Sequence, residues 1–187
     1  MNWKSPIGIT YLASTEMQCP EHQLLNGFQF EHLNKKKFRY RYICGAKHSP
    51  LLQHKNVTNG WSDYLGWVSN PGDKLGNINF LDRQTVDCTG RGFLTSVYME
   101  ADFDEERLRY IYTCGKPSRS DLPLEQVQCN DRQTPKHDSV DFRLPALEHH
   151  FVSCNKNEFL VKFHLKVDYE VPRGHVCYHY TCCSVDA

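Results

Sequence analysis

The sequence predicts an all-β fold built from three copies of one hairpin unit and stapled by disulfide bonds. Three observations carry this prediction. The motif apolar-x-Tyr-x-Tyr-x-Cys occurs three times, apolar residues around each copy alternate with a period of two, and the 187 residues include nine cysteines. The motif reads FRYRYIC, LRYIYTC and VCYHYTC, and it ends at Cys44, Cys114 and Cys182. Alternation with a period of two is typical of half-buried strands.

Each closing cysteine has an earlier partner, and aligning the chain on Cys19, Cys88 and Cys154 exposes the repeat. Apolar residues recur at seven offsets from these cysteines: Ile9, Ile78 and Leu144; Leu12, Leu81 and Leu147; Met17, Val86 and Val152; Leu24-Leu25, Phe93-Leu94 and Phe159-Leu160; Phe28, Val97 and Phe163; Phe30, Met99 and Leu165. Each unit therefore reads as two short strands, a cysteine, a long hairpin and a second cysteine.

The repeats cover residues 1–44, 73–114 and 139–182, and loops are expected over 45–72 and 115–138 because both segments are rich in Pro, Asn, Asp and Gly. A unit of this size cannot bury its own apolar face. We therefore expect residues 1–187 to form a single domain, in which the three units share one core with pseudo-threefold, β-prism-like symmetry.

The repeat also predicts how the cysteines pair. A bond between the two cysteines of each unit would staple both ends of its hairpin, which predicts Cys19–Cys44, Cys88–Cys114 and Cys154–Cys182. Closing a loop of this length contributes about 3 kcal/mol in the chain-entropy model. One further pair can form among the remaining three cysteines, which leaves one thiol over. We favour Cys129 with Cys183, and the partner of Cys177 stays open.

Composition narrows the class of protein. Lys and Arg together number 22, as do Asp and Glu, so no global charge favours nucleic acid as a partner. No stretch is long and apolar enough to predict a transmembrane helix, and the N-terminus lacks the apolar region of a signal peptide. Many cysteines without a CxxC pair favour a secreted, disulfide-bonded protein, and we then expect the chain to be a mature form or an excised domain. No nucleotide-binding or nucleophile-elbow motif occurs, so we expect no cofactor and no catalysis.

The stretch LLNGFQFEHLNKKKFRYRYIC resembles the repeat of dermatopontin-like extracellular matrix proteins. The segments Asn2-Trp3-Lys4-Ser5-Pro6 and Trp61-Ser62-Asp63-Tyr64 also resemble those that lead into that family's repeats. Two departures stand out: Lys37-Phe38-Arg39 and Arg107-Leu108-Arg109 stand where the family has Asp-Arg before the aromatic residue, and Tyr replaces Trp. The resemblance implies a secreted adhesion module. Its expected partners are glycans such as glycosaminoglycans, proteoglycans, or matrix proteins.

A second resemblance points to a different target. The stretch FLVKFHLKVDYE is similar to segments of vitelline membrane outer layer protein I, which is a threefold β-prism. Comparable three-repeat domains occur at the C-terminus of apicomplexan perforin-like proteins, where they bind membranes. This resemblance implies the alternative of a membrane-binding accessory domain of a pore-forming protein, with lipid as the partner.

Three surface features are candidate binding sites. Lys35, Lys36, Lys37, Arg39 and Arg41 cluster at the first hairpin tip, beside Phe38, Tyr40 and Tyr42, which we expect to be buried. Such a patch suits the anionic groups of sulfated glycans or lipids. Aromatic residues on the connection between units form a second candidate surface: Trp61, Tyr64 and Trp67. Asn56 is the acceptor of the chain's one N-glycosylation sequon.

The alternative from another class is a metal-dependent enzyme. His175, Cys177 and His179 lie at i, i+2 and i+4 on a predicted strand, hence on one face, where two imidazoles can hold a metal ion. The aligned residues of the other units are mostly basic, so we expect this face to be solvent-exposed and its residues to be polar substitutions. Glu148, His149 and His150 could act as acid and base, but no nucleophile is placed near them.

Overall fold

A computed structural model of the chain describes residues 12–13, 15–21, 23–34, 37–45, 61–64, 68–69, 78–90, 92–102, 107–115, 127–138, 144–169 and 174–185. Within these residues there are thirteen strands: β1 (Glu16–Gln18), β2 (Leu25–Asn34), β3 (Lys37–Cys44), β4 (Trp61–Tyr64), β5 (Val68–Ser69), β6 (Thr85–Asp87), β7 (Phe93–Asp102), β8 (Arg107–Gly115), β9 (Val127–Gln133), β10 (His137–Asp138), β11 (Phe151–Ser153), β12 (Glu158–Asp168) and β13 (His175–Val185). The predicted all-β class is confirmed.

The strands form three antiparallel sheets, and each is centred on one long hairpin. The hairpins are β2–β3, β7–β8 and β12–β13. Each sheet also takes in a short strand from a different unit: β1 pairs with β7, β6 pairs with β12, and β11 pairs with β2. The first unit thus joins the second, the second joins the third, and the third joins the first.

These three exchanges use the same register. The middle residue of each short strand lies opposite the residue nine positions after a unit's first cysteine: Met17 opposite Val97, Val86 opposite Phe163, and Val152 opposite Phe28. The cysteine after each short strand then donates its amide to a carbonyl of the same neighbouring strand, at 2.9–3.0 Å. The accepting carbonyls belong to Thr95, Val161 and Asn26.

Those accepting carbonyls lie where the hairpin ladders are irregular. The register of each hairpin shifts around one residue, between Leu25 and Gly27, between Leu94 and Ser96, and between Leu160 and Lys162. An extra residue at a bulge is left out of the ladder, so its backbone groups can point elsewhere. In each hairpin the freed carbonyl binds the neighbouring unit, so the bulge positions the joint between units.

The apolar residues at the repeating offsets form one core. Every one of them within the described residues is buried, while Ile9 lies outside those residues. Phe28 of the first unit makes edge contacts with Phe163 and Tyr178 of the third, at ring-centre distances of 4.9 and 5.4 Å. Tyr110 of the second unit contacts Phe163 at 5.9 Å. Residues from all three units therefore share the interior.

The closing motif of each unit has a structural role that differs between its two tyrosines. The first tyrosines, Tyr40, Tyr110 and Tyr178, point into the core, and burial raises the pKa of all three, that of Tyr40 to about 12. The second tyrosines donate to the carbonyl just before the unit's first cysteine: Tyr42 to Gln18, Tyr112 to Asp87, and Tyr180 to Ser153. The motif is scaffold in each unit.

Four disulfide bonds are present: the three pairs that the repeat predicted, Cys19–Cys44, Cys88–Cys114 and Cys154–Cys182, and the pair favoured among the remaining cysteines, Cys129–Cys183. The first three tie the entry of each hairpin to its end. The fourth ties β9 to β13, where Cys129 lies directly opposite Cys183. Cys177 is the remaining thiol and is buried.

Three expectations were wrong. The first short strand of each unit is instead a 3₁₀ turn, seen over Ile78–Arg83 and Leu144–His149. Its two apolar residues are three positions apart, and side chains at i and i+3 eclipse on a 3₁₀ helix, so both reach the core. The segments 45–72 and 115–138 are not loops throughout, because they contain β4, β5, β9 and β10. Finally, Tyr42 is 36% exposed rather than buried, because β3 is an edge strand among the described residues.

Candidate ligand cleft on the third sheet

A cleft of about 210 Å³ opens on the outer face of the sheet formed by β6, β12, β13, β9 and β10. Alternation along the strands creates it, because the residues between the core positions of β12 and β13 point outward. Residues from three strands line the cleft, among them Asp131, Arg132, Lys162, His164, His179 and Thr181. The lining combines two permanent cations, one carboxylate and two imidazoles.

The two imidazoles lie side by side across the hairpin. His164 on β12 is directly opposite His179 on β13, and their ring centres are 5.3 Å apart. Burial and the neighbouring His179 lower the pKa of His164, and Lys162 and Lys166 add to this effect. Burial, Lys166 and Lys136 lower the pKa of His179. Both rings are therefore neutral at neutral pH and can each donate one hydrogen bond and accept one.

Carboxylates hold the two permanent cations of the cleft. Arg132 Nη2 lies 2.6 Å from Glu158 Oε2, and Lys162 Nζ lies 3.0 Å from Asp87 Oδ2. Although burial raises the pKa of Asp87, hydrogen bonds from Thr89 and the Lys162 ammonium lower it below its usual value. The hydroxyl of Thr181 donates to Asp131 at 2.6 Å. The cations are thus fixed in position and largely offset in charge.

A second histidine group lies at the other end of the same sheet. The ring centres of His137 on β10 and His149 are 3.6 Å apart. The ring centre of the fully buried His150 is 6.4 Å from that of His137. His150 Nδ1 is 2.9 Å from the hydroxyl of Thr134. That hydroxyl oxygen also accepts the amide of Tyr178, so it bridges the ring of His150 and the backbone of β13. This network ties the segment between β9 and β10 to the core.

Burial and the nearby rings of His137 and His149 lower the pKa of His150 to about 4. Its Nε2 has no hydrogen-bond partner among the described residues. The third member of the predicted Glu148, His149 and His150 group, Glu148, accepts a hydrogen bond at its backbone carbonyl from Gln29. These residues are part of the framework around the second histidine group.

The predicted metal residues do not converge on one point. His175 Nδ1 faces Asp138 Oδ1 at 2.9 Å, whereas His179 faces His164. Cys177 is only 2% exposed, which corrects the expectation that this whole face is open to solvent, and burial raises the pKa of its thiol. Cys177 lies between the two stretches of β13 that pair with β10 and β9. No group of three metal-binding side chains occurs in the part of the chain that the structure describes.

The predicted basic tip is only partly visible. Lys35 and Lys36 lie outside the described residues, and Lys37 is described in its backbone alone, as the first residue of β3. Arg39 and Arg41 are on the outer face of β3, and both approach Glu31, at 2.7 and 3.0 Å. Arg41 also donates to Gln29 at 2.8 Å. One carboxylate therefore offsets part of the positive charge of the two arginines.

The other predicted features lie mainly beyond the described side chains. Trp61 and Tyr64 are on β4, whose backbone pairs with β8 opposite Cys114 and Ile111. Trp67 and the sequon residue Asn56 lie outside the described residues, as does Phe38 in its side chain.

Sequence reasoning missed His164, the central residue of the cleft. A plain count along the hairpin from Leu160 opposite Cys182 would pair His179 with Phe163, whereas the bulge around Val161 shifts the register by one residue and pairs it with His164. The repeat also does not predict the pairing of β9 with β13, which brings Asp131 and Arg132 to the same face.

No family model, curated protein or solved structure matches this chain. The cleft and its chemistry therefore rest on the geometry of this molecule alone.

Proposed function

We propose that the chain is a non-catalytic extracellular binding module of the dermatopontin-like type, which recognises glycans, proteoglycans or matrix proteins through the outer faces of its sheets. One observation carries the proposal. The inward residues of the three units are equivalent and buried, whereas the outward residues at one shared offset differ completely, being Gln29, Tyr98 and His164. A fixed interior with a varied exterior suits a scaffold that presents binding groups.

The three units are related by an approximate threefold axis in this proposal, as in a β-prism. The equal registers of the three strand exchanges and the equivalent bulges support it. Three linked surfaces on one rigid body allow several weak contacts with one polymer, and linked contacts raise the overall affinity well above that of each contact.

The proposed location is extracellular. Four disulfide bonds are compatible with an oxidising environment, where such bonds form and persist. Within the described ranges, no helix has the length and apolar character needed to cross a bilayer.

Heparin chromatography combined with a glycan array tests the proposal. We expect retention of the wild-type protein on heparin that falls with salt, since contacts between exposed charges are screened. The triple variant Lys35→Ala/Lys36→Ala/Lys37→Ala should elute at lower salt. As a matched control, Glu31→Gln removes the carboxylate that offsets Arg39 and Arg41 and should increase retention. Absence of retention at low salt, together with an array without hits, would refute glycan recognition.

A second candidate, the membrane-binding accessory domain, is favoured by one feature of the sheet β11-β2-β3. Phe151 is 44% exposed and Ile43 is 42% exposed, and both are on the face that carries Arg41. Apolar side chains beside cations suit an anionic membrane surface. Flotation with vesicles containing phosphatidylserine would support this candidate, provided that Phe151→Ser abolishes it. Equal flotation of wild type and variant would remove this face from consideration.

A further inference from the structure

We propose that the cleft between His164 and His179 is a binding site for an oxyanion, the sulfate or carboxylate group of an acidic glycan, and that its affinity increases as the pH falls. The glycan source rests on the proposed function, whereas the oxyanion chemistry rests on the cleft itself. The site differs from the basic tip, because it lies on another sheet and depends on imidazoles rather than lysines.

The dimensions of the cleft suit one charged group. Pockets that enclose a whole drug-sized ligand measure roughly 300–1,000 Å³, and this cleft is about 210 Å³. It can therefore take a single oxyanion with the sugar ring that carries it, while the rest of a chain lies across the sheet. The facing imidazoles supply ring N–H groups from two strands, and Arg132 and Lys162 flank them.

The charges around the imidazoles make the site sensitive to pH. Charged groups near the imidazoles come from four segments. They are Lys162 and Lys166 on β12, Asp82 on the 3₁₀ turn Ile78–Arg83, Asp87 on β6, and Asp131, Arg132 and Lys136 on β9 and just after it. The two cations of the cleft are already held by Asp87 and Glu158. Asp131 accepts a hydrogen bond from the hydroxyl of Thr181. Because a neutral hydroxyl does not offset the carboxylate charge, Asp131 repels an anion while both imidazoles are neutral.

Protonation reverses this balance. Each protonated ring becomes a donor at both nitrogens and adds one positive charge. Two protonated rings opposite each other repel, which contributes to the lowered pKa of His164. An oxyanion bound between the rings would offset that repulsion, so binding and protonation must favour each other by linkage. Charge-assisted hydrogen bonds of this kind make binding about tenfold tighter for each ring that is protonated.

Nuclear magnetic resonance of the imidazole ring protons tests the site with inorganic sulfate as the probe. The wild-type protein is titrated with sodium sulfate at about pH 5.5 and about pH 7.4, with chloride adjusted to hold ionic strength constant. We expect the His164 and His179 signals to shift together and saturate at the lower pH, with at least about tenfold weaker binding at the higher pH. His149, which is exposed and outside the cleft, serves as the internal control. Unchanged His164 and His179 signals at the lower pH would overturn the proposal.

Variants and glycans then separate the sources of the oxyanion. His164→Gln and His179→Gln should each weaken the binding of a heparin tetrasaccharide at about pH 5.5 by about tenfold, whereas His149→Gln should not. A hyaluronan tetrasaccharide, which carries carboxylates alone, distinguishes carboxylate from sulfate recognition. The wild-type titration does not depend on any variant folding.

The two proposals fail in distinguishable ways. Heparin binding that survives in both histidine variants but is lost in the triple lysine variant would overturn the cleft and leave the proposed function standing. Saturable sulfate shifts at His164 and His179 without binding of any glycan would support the cleft and overturn glycan recognition.

Discussion

Val152 of β11 lies opposite Phe28 of β2, and this pairing joins the third unit to the first. Both side chains are buried. The other two exchanges each connect a unit to the next one along the chain, so this contact is the one that closes the cycle. Joining the two ends of the chain in this way costs loop-closure entropy, which the buried apolar residues of the shared core offset.

Gly27 is the residue that permits this closure. A Cβ atom at Gly27 would meet the backbone carbonyl of Val152 and would lie 3.0 Å from the Cα of Ser153. We expect Gly27→Ala to lower the free energy of unfolding by about 2 kcal/mol, since a side chain forced into a packed site costs this much. Urea denaturation measures the effect.

The matched control for Gly27→Ala is Ser96→Ala, at the same offset in the second unit. That position already accepts a side chain, so the change should stay within about 0.5 kcal/mol of wild type. Equal stability of the two variants would contradict the tight approach of β11 to β2.

Tyr112 and Tyr42 make the same hydrogen bond in different surroundings. Tyr112 donates to Asp87 and is 2% exposed, whereas Tyr42 donates to Gln18 and is 36% exposed. Tyr112→Phe should lower the free energy of unfolding by about 1.5 kcal/mol, because a buried carbonyl loses its donor. Tyr42→Phe should cost less than half as much, since water can replace the hydroxyl. Thermal unfolding of both variants provides the comparison, and a larger effect at Tyr42 would show that burial does not govern this bond.

Glu158 is the buried anion of the third unit. Its carboxylate accepts hydrogen bonds from Arg132 at 2.6 Å and from the amide of Asn155 at 2.9 Å. We expect Glu158→Gln to lower the free energy of unfolding by about 3 kcal/mol, because Arg132 would lose the partner of a partly buried charge. The exposed arginines around Glu31 give a control, as Glu31→Gln should change stability by less than about 1 kcal/mol. Chemical denaturation at low and at high salt measures the stability of both variants. Equal losses of stability in Glu158→Gln and Glu31→Gln would contradict the prediction.

His150 makes the stability of the fold depend on pH. Its folded-state pKa of about 4 is below the ordinary value of 6.5, so the unfolded chain binds the proton more readily. Stability is therefore complete above about pH 6.5 and falls as the pH drops toward 4, by about 2 kcal/mol between pH 7.4 and pH 5. Denaturation curves across this range should show the loss in wild type. A smaller loss is expected in His150→Gln, and His149→Gln should retain most of it.

The sequence pattern was sufficient to predict most of the buried residues of this protein, because the same apolar pattern occurs in all three units. Val86 and Val152 are buried as expected, and the hairpin cysteines pair within their own units. A period of two determines which face of a strand is buried, and the spacing of two cysteines around a hairpin determines which sulfurs can meet. The pattern misled where apolar residues three apart, such as Ile78 and Leu81, fit a 3₁₀ turn as well as a short strand, and at Tyr42, which is exposed.

The outer surface depended on contacts between segments far apart in the chain. The connection before the third unit reads as a loop, since its polar residues show no periodicity, yet it pairs with β13 along seven residues. That pairing brings Arg132 beside His179.

The repeating unit, its long hairpin and the disulfide within each unit thus follow from the amino-acid sequence, because they depend on residues close together in the chain. Tertiary contacts were needed to establish which unit contributes a short strand to the sheet of which other unit. They were also needed to establish which side chains form the cleft of His164. Both depend on register between distant strands, and a pattern of period two is satisfied by many such registers.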